Sequence, residues 1–92
     1  MTYEWDPRKA QKNRRKHGVS FEEAASVFQD ARAFTFDDPD HSEDERREIT
    51  IGVSTRGRVL FLSHCDRDGR IRIISARRAT PNERKQYAKG LT

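Results

Sequence analysis

"RVLFLSHCDRDGRIRIISARRAT", residues 58–80, decides how this chain folds. The first eight residues are apolar on both alternating sides, the pattern of a strand in the middle of a sheet. "DRDG", 66–69, ends in the Asp-Gly pair typical of tight hairpins, so the strand turns back into a second one over 70–78. That second strand brings Arg70, Arg72, Arg77 and Arg78 into one short stretch. Arg72 sits between Ile71 and Ile73 and projects to the face opposite theirs. By simple alternation Arg77 points away from Arg72, a constraint that only a bulge or the strand's end would relax.

Working outward, "EITIGVS", 48–54, alternates with Ile49, Ile51 and Val53 on its buried side. "AFTF", 33–36, alternates in the same way, and "TYEW", 2–5, is a short first strand. Asp6-Pro7 starts a helix, with Asp as N-cap and Pro at the first helical position, and Gly18 stops it after His17. Ser20 and Glu23 form a capping box for a second helix over 21–30. Phe21, Ala24, Ala25 and Phe28 make one apolar stripe along that helix. Thr80-Pro81-Asn82-Glu83 opens a third helix over 81–89. The acidic stretch 37–48, which contains Pro39, reads as an exposed connection.

The order is strand, two helices, four strands, helix. This is an α+β fold: a small, mostly antiparallel sheet with two N-terminal helices packed on one face and a C-terminal helix. The other face stays open unless the third helix or a partner covers it. With no repeat, low-complexity tract or long linker, residues 1–92 are expected to form a single domain.

Only 33% of the residues are hydrophobic and 37% are charged, which limits the chain to one compact core. Cys65 stands alone and forms no internal disulfide, in keeping with a reducing cytosol. The first residues, "MTYEWDPRK", carry charge at once and do not read as a secretory signal. "VLFL", 59–62, is far too short to span a bilayer. A cytoplasmic protein without a membrane partner is expected. The net charge of +4 is segregated: residues 37–48 hold seven acids against Arg46 and Arg47, whereas 49–85 hold nine basic residues against three acids. Most of the latter are arginines, whose planar fork matches phosphate oxygens.

"WDPRKAQKNRRKHGVSFEEAASVF" (5–28), "ERREITIG" (45–52), "GRVLFLSHCDRDGRIRIISARRAT" (57–80), and Glu83, Arg84 and Tyr87 together resemble the BrnT toxins. These are ribonuclease members of type II toxin–antitoxin pairs, with a fold similar to the RelE toxins. Cys65 departs from the threonine common in that family, and His64 stands where histidine or tyrosine is usual. The resemblance implies an endoribonuclease that inhibits translation and growth without a metal or other cofactor. It also implies a BrnA-type antitoxin, and operator DNA reached through the toxin–antitoxin complex. A homodimer within that complex is left open. The alternative is a non-catalytic nucleic-acid-binding or co-repressor module of the same complex.

Cutting RNA without a metal requires loss of the 2′-hydroxyl proton, cations around the phosphorane and a proton for the leaving 5′-oxygen. Arg72 is the first candidate for phosphate contact. Arg77 reads either as a second or as a salt bridge onto Glu83 or the acidic segment. His64 suits proton transfer near neutral pH, or is a strand histidine satisfied locally. Arg67, in the hairpin turn, reaches over a site mouth or is merely solvated. Arg47, with Glu45 before it, opens the strand 48–54, and Glu45 as base with arginines as stabilisers is sensible chemistry. Lys12, Arg15, Lys16 and His17 on the basic first helix, and Arg70 at the hairpin, are candidate RNA-backbone contacts. His17 also fits the helix C-terminus. "DPDHSEDE", 39–45, lacks the spacing of a calcium or zinc site, and Cys65 lacks an activating context for a nucleophile.

Overall fold

The computed structural model of the chain describes residues 2–41 and 45–90. The elements are β1 (Tyr3–Glu4), α1 (Pro7–His17), α2 (Phe21–Ser26) with a 3-10 turn Val27–Gln29, β2 (Phe34–Asp37), a 3-10 turn Pro39–His41, β3 (Arg47–Val53), β4 (Val59–Arg67), β5 (Arg70–Arg78) and α3 (Pro81–Lys89). They build one five-stranded sheet in the order β1-β5-β4-β3-β2. β2 to β5 form an antiparallel meander, and β1 pairs in parallel with β5 at Tyr3–Ile71 and Glu4–Arg72. The doubly apolar strand β4 is the centre of the sheet, as its pattern demands.

The hairpin is tighter than its sequence suggests. β4 runs on to Arg67, and the turn is Asp68-Gly69 alone, at φ 55° and 77°. Two successive left-handed residues match the twist of the flanking strands, so the pairing extends to Arg67–Arg70 and Arg67 belongs to the strand, not to the turn.

The caps hold the helices as read, with one difference. Asp6 caps α1, Gly18 ends it at φ 69°, and Thr80 and Glu83 complete a reciprocal capping box on α3. Ser20 accepts from the Glu23 N–H, but the Glu23 carboxylate does not return to it. That carboxylate is buried and instead accepts from the Arg58 guanidinium and from Ser54 Oγ at 2.7 Å. A charged partner outweighs the backbone N–H that would complete the box. α2 also ends earlier than its stripe predicts, tightening into the 3-10 turn over Val27–Gln29.

The core lies between the helices and one sheet face, where Val19, Phe21, Ala24 and Val27 meet Leu60, Leu62, Ile73 and Ala76. Each large side chain fully buried there contributes ~1.5–3 kcal/mol. α1 turns the uncharged stripe Ala10–Asn13–His17 inward and leaves Lys12, Arg15 and Lys16 exposed. Asn13 is buried and bonds both the N–H and the C=O of Ala76 (3.1 and 2.8 Å) and the C=O of Val19 (3.0 Å). It thereby satisfies the edge of β5 beyond the point where β1 stops. α3 crosses the end of the sheet, tied by Tyr87 Oη to Asp30 (2.6 Å) and by Glu83 to Arg77. Among the described residues no helix is long and apolar enough to cross a membrane.

Candidate active site

The face of the sheet turned away from α1 and α2 is built in rows, because side chains directly opposite each other across paired strands share a face. The first row reads Glu4–Arg72–Cys65–Arg47 across β1, β5, β4 and β3. The second reads Ser75–Ser63–Ile49–Phe36, and the third Arg77–Phe61–Ile51–Phe34. Arg72 and Arg77 therefore lie on one face, contrary to simple alternation. The register of β5 against β4 shifts between Ser63 and His64, where Ser63 faces Ser75 but His64 faces Ile73. Ile74 is the extra residue of this bulge, and it reverses the alternation on either side of itself.

Around the first row stand four of the predicted site residues. Arg67 grips the Glu45 carboxylate with Nε at 3.0 Å and with a second bond from Nη2. Arg72 Nη1 donates to Glu4 at 2.8 Å. The Cys65 thiol forms the buried floor and donates to Glu45 Oε2 at 3.9 Å. Hydrogen bonds from Arg67, with the charges of Arg67, Arg72 and Arg47, hold Glu45 below the usual carboxylate range. Burial pushes the Cys65 thiol up, so it stays protonated and is no thiolate nucleophile at neutral pH.

Arg77 closes the opposite end. It lies 3.9 Å over the Phe61 ring and forks onto Glu83 at 2.8 and 2.9 Å, so of its two sequence readings the salt bridge onto Glu83 is the one that forms. Burial alone would raise the Glu83 pKa, but the Arg77 fork and the Thr80 N–H keep it lowered. Between the two arginine ends runs a groove of about 370 Å³ bordered by Phe36, Arg47, Ile49, Ser63, Ile74 and Ser75, with Asp38 and Phe61 beside them. Cations at both ends of a half-apolar trough suit a single strand of nucleic acid better than a small neutral ligand.

The family model for the ribonuclease toxin BrnT of type II toxin–antitoxin systems matches residues 5–83. The chain belongs to the BrnT family. Its place in a type II pair makes an antitoxin its partner. The crystal structure of the Brucella abortus ribonuclease toxin BrnT superposes with a TM-score of 0.66 at 21% identity, covering 87% of this chain and 99% of that one. At that identity the likeness speaks for the fold. A comparison with the curated proteins finds no match.

The remaining candidates of this BrnT-family chain lie elsewhere. His64 is on the helix side of the sheet, 4% exposed, edge-on to Phe28 and bonded through Nε2 to Thr50 Oγ1 at 2.7 Å. Thr50 in turn bonds Thr35 at 2.7 Å. Burial lowers the His64 pKa to about 4, so the ring is neutral at pH 7 and walled off from the arginine rows. Of the two sequence readings of His64, the geometry agrees with the strand histidine satisfied locally: β4 has no bulge of its own, so residue 64 faces away from residues 63 and 65. Lys12, Arg15 and Lys16 are exposed on α1, across the sheet from the rows, and His17 is half-buried beneath them. Arg70 is exposed at the hairpin end. Part of the acidic stretch 39–45, residues 42–44, lies outside the described residues.

Three structural residues escaped the sequence reading. Glu23 pairs with Arg58, Asn13 clamps β5, and Asp30 accepts from Tyr87 and from the Val53 N–H at 2.8 Å. Asn13 left a signal, being the lone amide in the only uncharged stripe of a basic helix. Glu23 was hidden by its position in an apparent capping box.

Proposed function

We propose that this BrnT-family toxin is a metal-independent endoribonuclease whose open sheet face takes the RNA. The observation that carries the reading is the Arg47–Cys65–Arg72 row with Arg67 and Glu45 against it. An incoming phosphate competes with the carboxylates for Arg67 and Arg72, which frees Glu45 to act as base. The 2′-hydroxyl gives its proton to Glu45, and the 2′-oxygen bonds the adjacent phosphorus. The P–O5′ bond breaks, leaving a 2′,3′-cyclic phosphate and a 5′-alkoxide that takes a proton from water. The arginines stabilise the dianionic phosphorane, where one positioned donor is typically worth ~10²–10³ in rate. A BrnA-type antitoxin holds the toxin inactive, and their complex reaches operator DNA through the antitoxin.

One observation favours a second reading, a binding module without cleavage. Arg67, Arg72 and Arg77 are each already engaged by a carboxylate, and the strand histidine is buried away from them. The two separate in one assay: purified protein is incubated with single-stranded RNA in EDTA, and the ends are analysed. Cyclic-phosphate termini support the nuclease; intact RNA that stays bound supports the module.

A further inference from the structure

The groove between the arginine rows holds an oddity for a chain with so few apolar residues. Phe36 is 40% exposed, the one large hydrophobic side chain left open among the described residues. It is held in place, stacked on Phe34 with ring centroids 6.2 Å apart, and it stands opposite Ile49 in the register of β2 and β3. Across the same row Ser63 and Ser75 face each other, and Ile74, pushed out by the bulge, borders the groove beside them. The row thus runs from an aromatic face, over an apolar floor, to a pair of hydroxyls.

Its neighbours on both sides are cationic. The next row, ~6.8 Å along the strands, brings Arg47 and Arg72 in one direction, Arg72 lying three residues from Ser75 because of the bulge, and Arg77 in the other. An aromatic face between cationic ends matches one kind of occupant well. Bases of a single strand stack on aromatic rings while arginines track the backbone, and stacking tolerates any base because every base has a π-face. The serine hydroxyls both donate and accept, so they too serve the edge of any base. A base still stacked in a duplex has no free face to offer.

We propose that this groove is a nucleobase subsite: one base of single-stranded RNA stacks on Phe36 with its edge toward Ser63 and Ser75. Phosphates of the same strand lie at Arg47 and Arg72 on one side and at Arg77 on the other. The inference rests on the RNA reading above and adds to it the selection of unpaired RNA by Phe36.

The test is fluorescence anisotropy with a short 2′-O-methyl single-stranded oligoribonucleotide, which binds but cannot be cut, and with an abasic oligomer of the same length. Wild-type protein is expected to prefer the base-bearing oligomer by roughly ten-fold, Phe36→Leu to lose that preference, and Phe36→Tyr to keep it. The abasic oligomer should bind wild-type and Phe36→Leu alike. Ser63→Ala/Ser75→Ala serves as an independent second variant, with a smaller loss of the same preference. An undiminished preference in both Phe36→Leu and the serine double variant overturns the subsite, as does wild-type protein with no preference at all. Weakened binding of the antitoxin by Phe36→Leu, with oligonucleotide affinity unchanged, also overturns it and makes the face a protein interface. Cleavage of unmodified RNA is followed separately. Its absence alongside Phe36-dependent binding sinks the nuclease reading and leaves the subsite standing.

Discussion

Arg72 and Arg77 share one face of the sheet although they stand an odd number of positions, five, apart. The extra residue Ile74 in the β4–β5 ladder makes this so, and the rows that hold the two arginines lie on either side of the groove's own row. Their roles differ. Arg72 sits in the row with Cys65 and Arg47, whereas Arg77 is tied to α3 through Glu83 and rests on Phe61.

Arg72→Ala is expected to lower RNA cleavage by ~10²-fold or more, the usual cost of removing one preorganised transition-state donor. The ion pair with Glu4 is partly solvated, so thermal stability should fall only slightly. Arg72→Lys, which keeps the charge and loses the planar fork, should fall between. Single-turnover rates beside a thermal melt check this; wild-type cleavage by folded Arg72→Ala would remove Arg72 from the site.

Glu45→Gln should abolish cleavage yet bind RNA at least as tightly as wild type, because it removes an anion that competes with phosphate for Arg67. Binding is measured with the uncleavable oligomer. Since the Arg67 hydrogen bonds lower the Glu45 pKa, the acid limb of the activity profile should lie below the usual carboxylate range. A Glu45→Gln protein that still cuts would assign the base elsewhere.

His64 makes stability fall on acidification. Its folded pKa, about 4, lies below the unfolded value of 6.5, so between those values the unfolded chain binds more protons. The stabilisation is complete above pH 6.5 and is lost as pH drops toward 4, to an extent of about 3 kcal/mol. Melts between pH 4.5 and 7.5 should show this slope, and His64→Gln should flatten it. An unchanged slope in that variant would place the titration on another group.

Glu23→Ala should destabilise the fold by about 3 kcal/mol, because it leaves the guanidinium of Arg58 without its partner at a mostly buried position. Hydrogen bonding from Arg58 also lowers the Glu23 pKa, so its contribution is present above the unfolded carboxyl pKa and lost in acid below it. Chemical denaturation reads the change. A variant as stable as wild type would show that the pair contributes nothing net.

Tyr87→Phe removes the hydroxyl that anchors α3 on Asp30 and should cost about 1–2 kcal/mol. Hydrogen exchange should show the loss confined to α3 and the adjoining end of β3. Uniform loss across the sheet would mean that α3 is integral to the core and not a cover on its end.

What the sequence determined by itself was local. Asp6 and Pro7, Gly18, Thr80 and Glu83, and Asp68-Gly69 start or stop their elements through bonds and dihedrals within a few residues, so the elements follow from composition at close range. The doubly apolar β4 announced itself as the central strand, and it holds the middle of the sheet with its helix-side residues buried and Phe61 and Ser63 part-buried on the other face. The tertiary structure decided everything that depends on register. Whether Arg72 and Arg77 share a face, whether His64 faces the open side of the sheet or the helices, and whether Glu23 caps α2 or binds Arg58 all turn on partners up to tens of residues away. One unpaired residue, Ile74, inverts the facing of half a strand, and no alternation count can locate it. Pairing energy is shared between strands, so the place where it breaks is set by both strands and by the Asn13 clamp on Ala76 beside it.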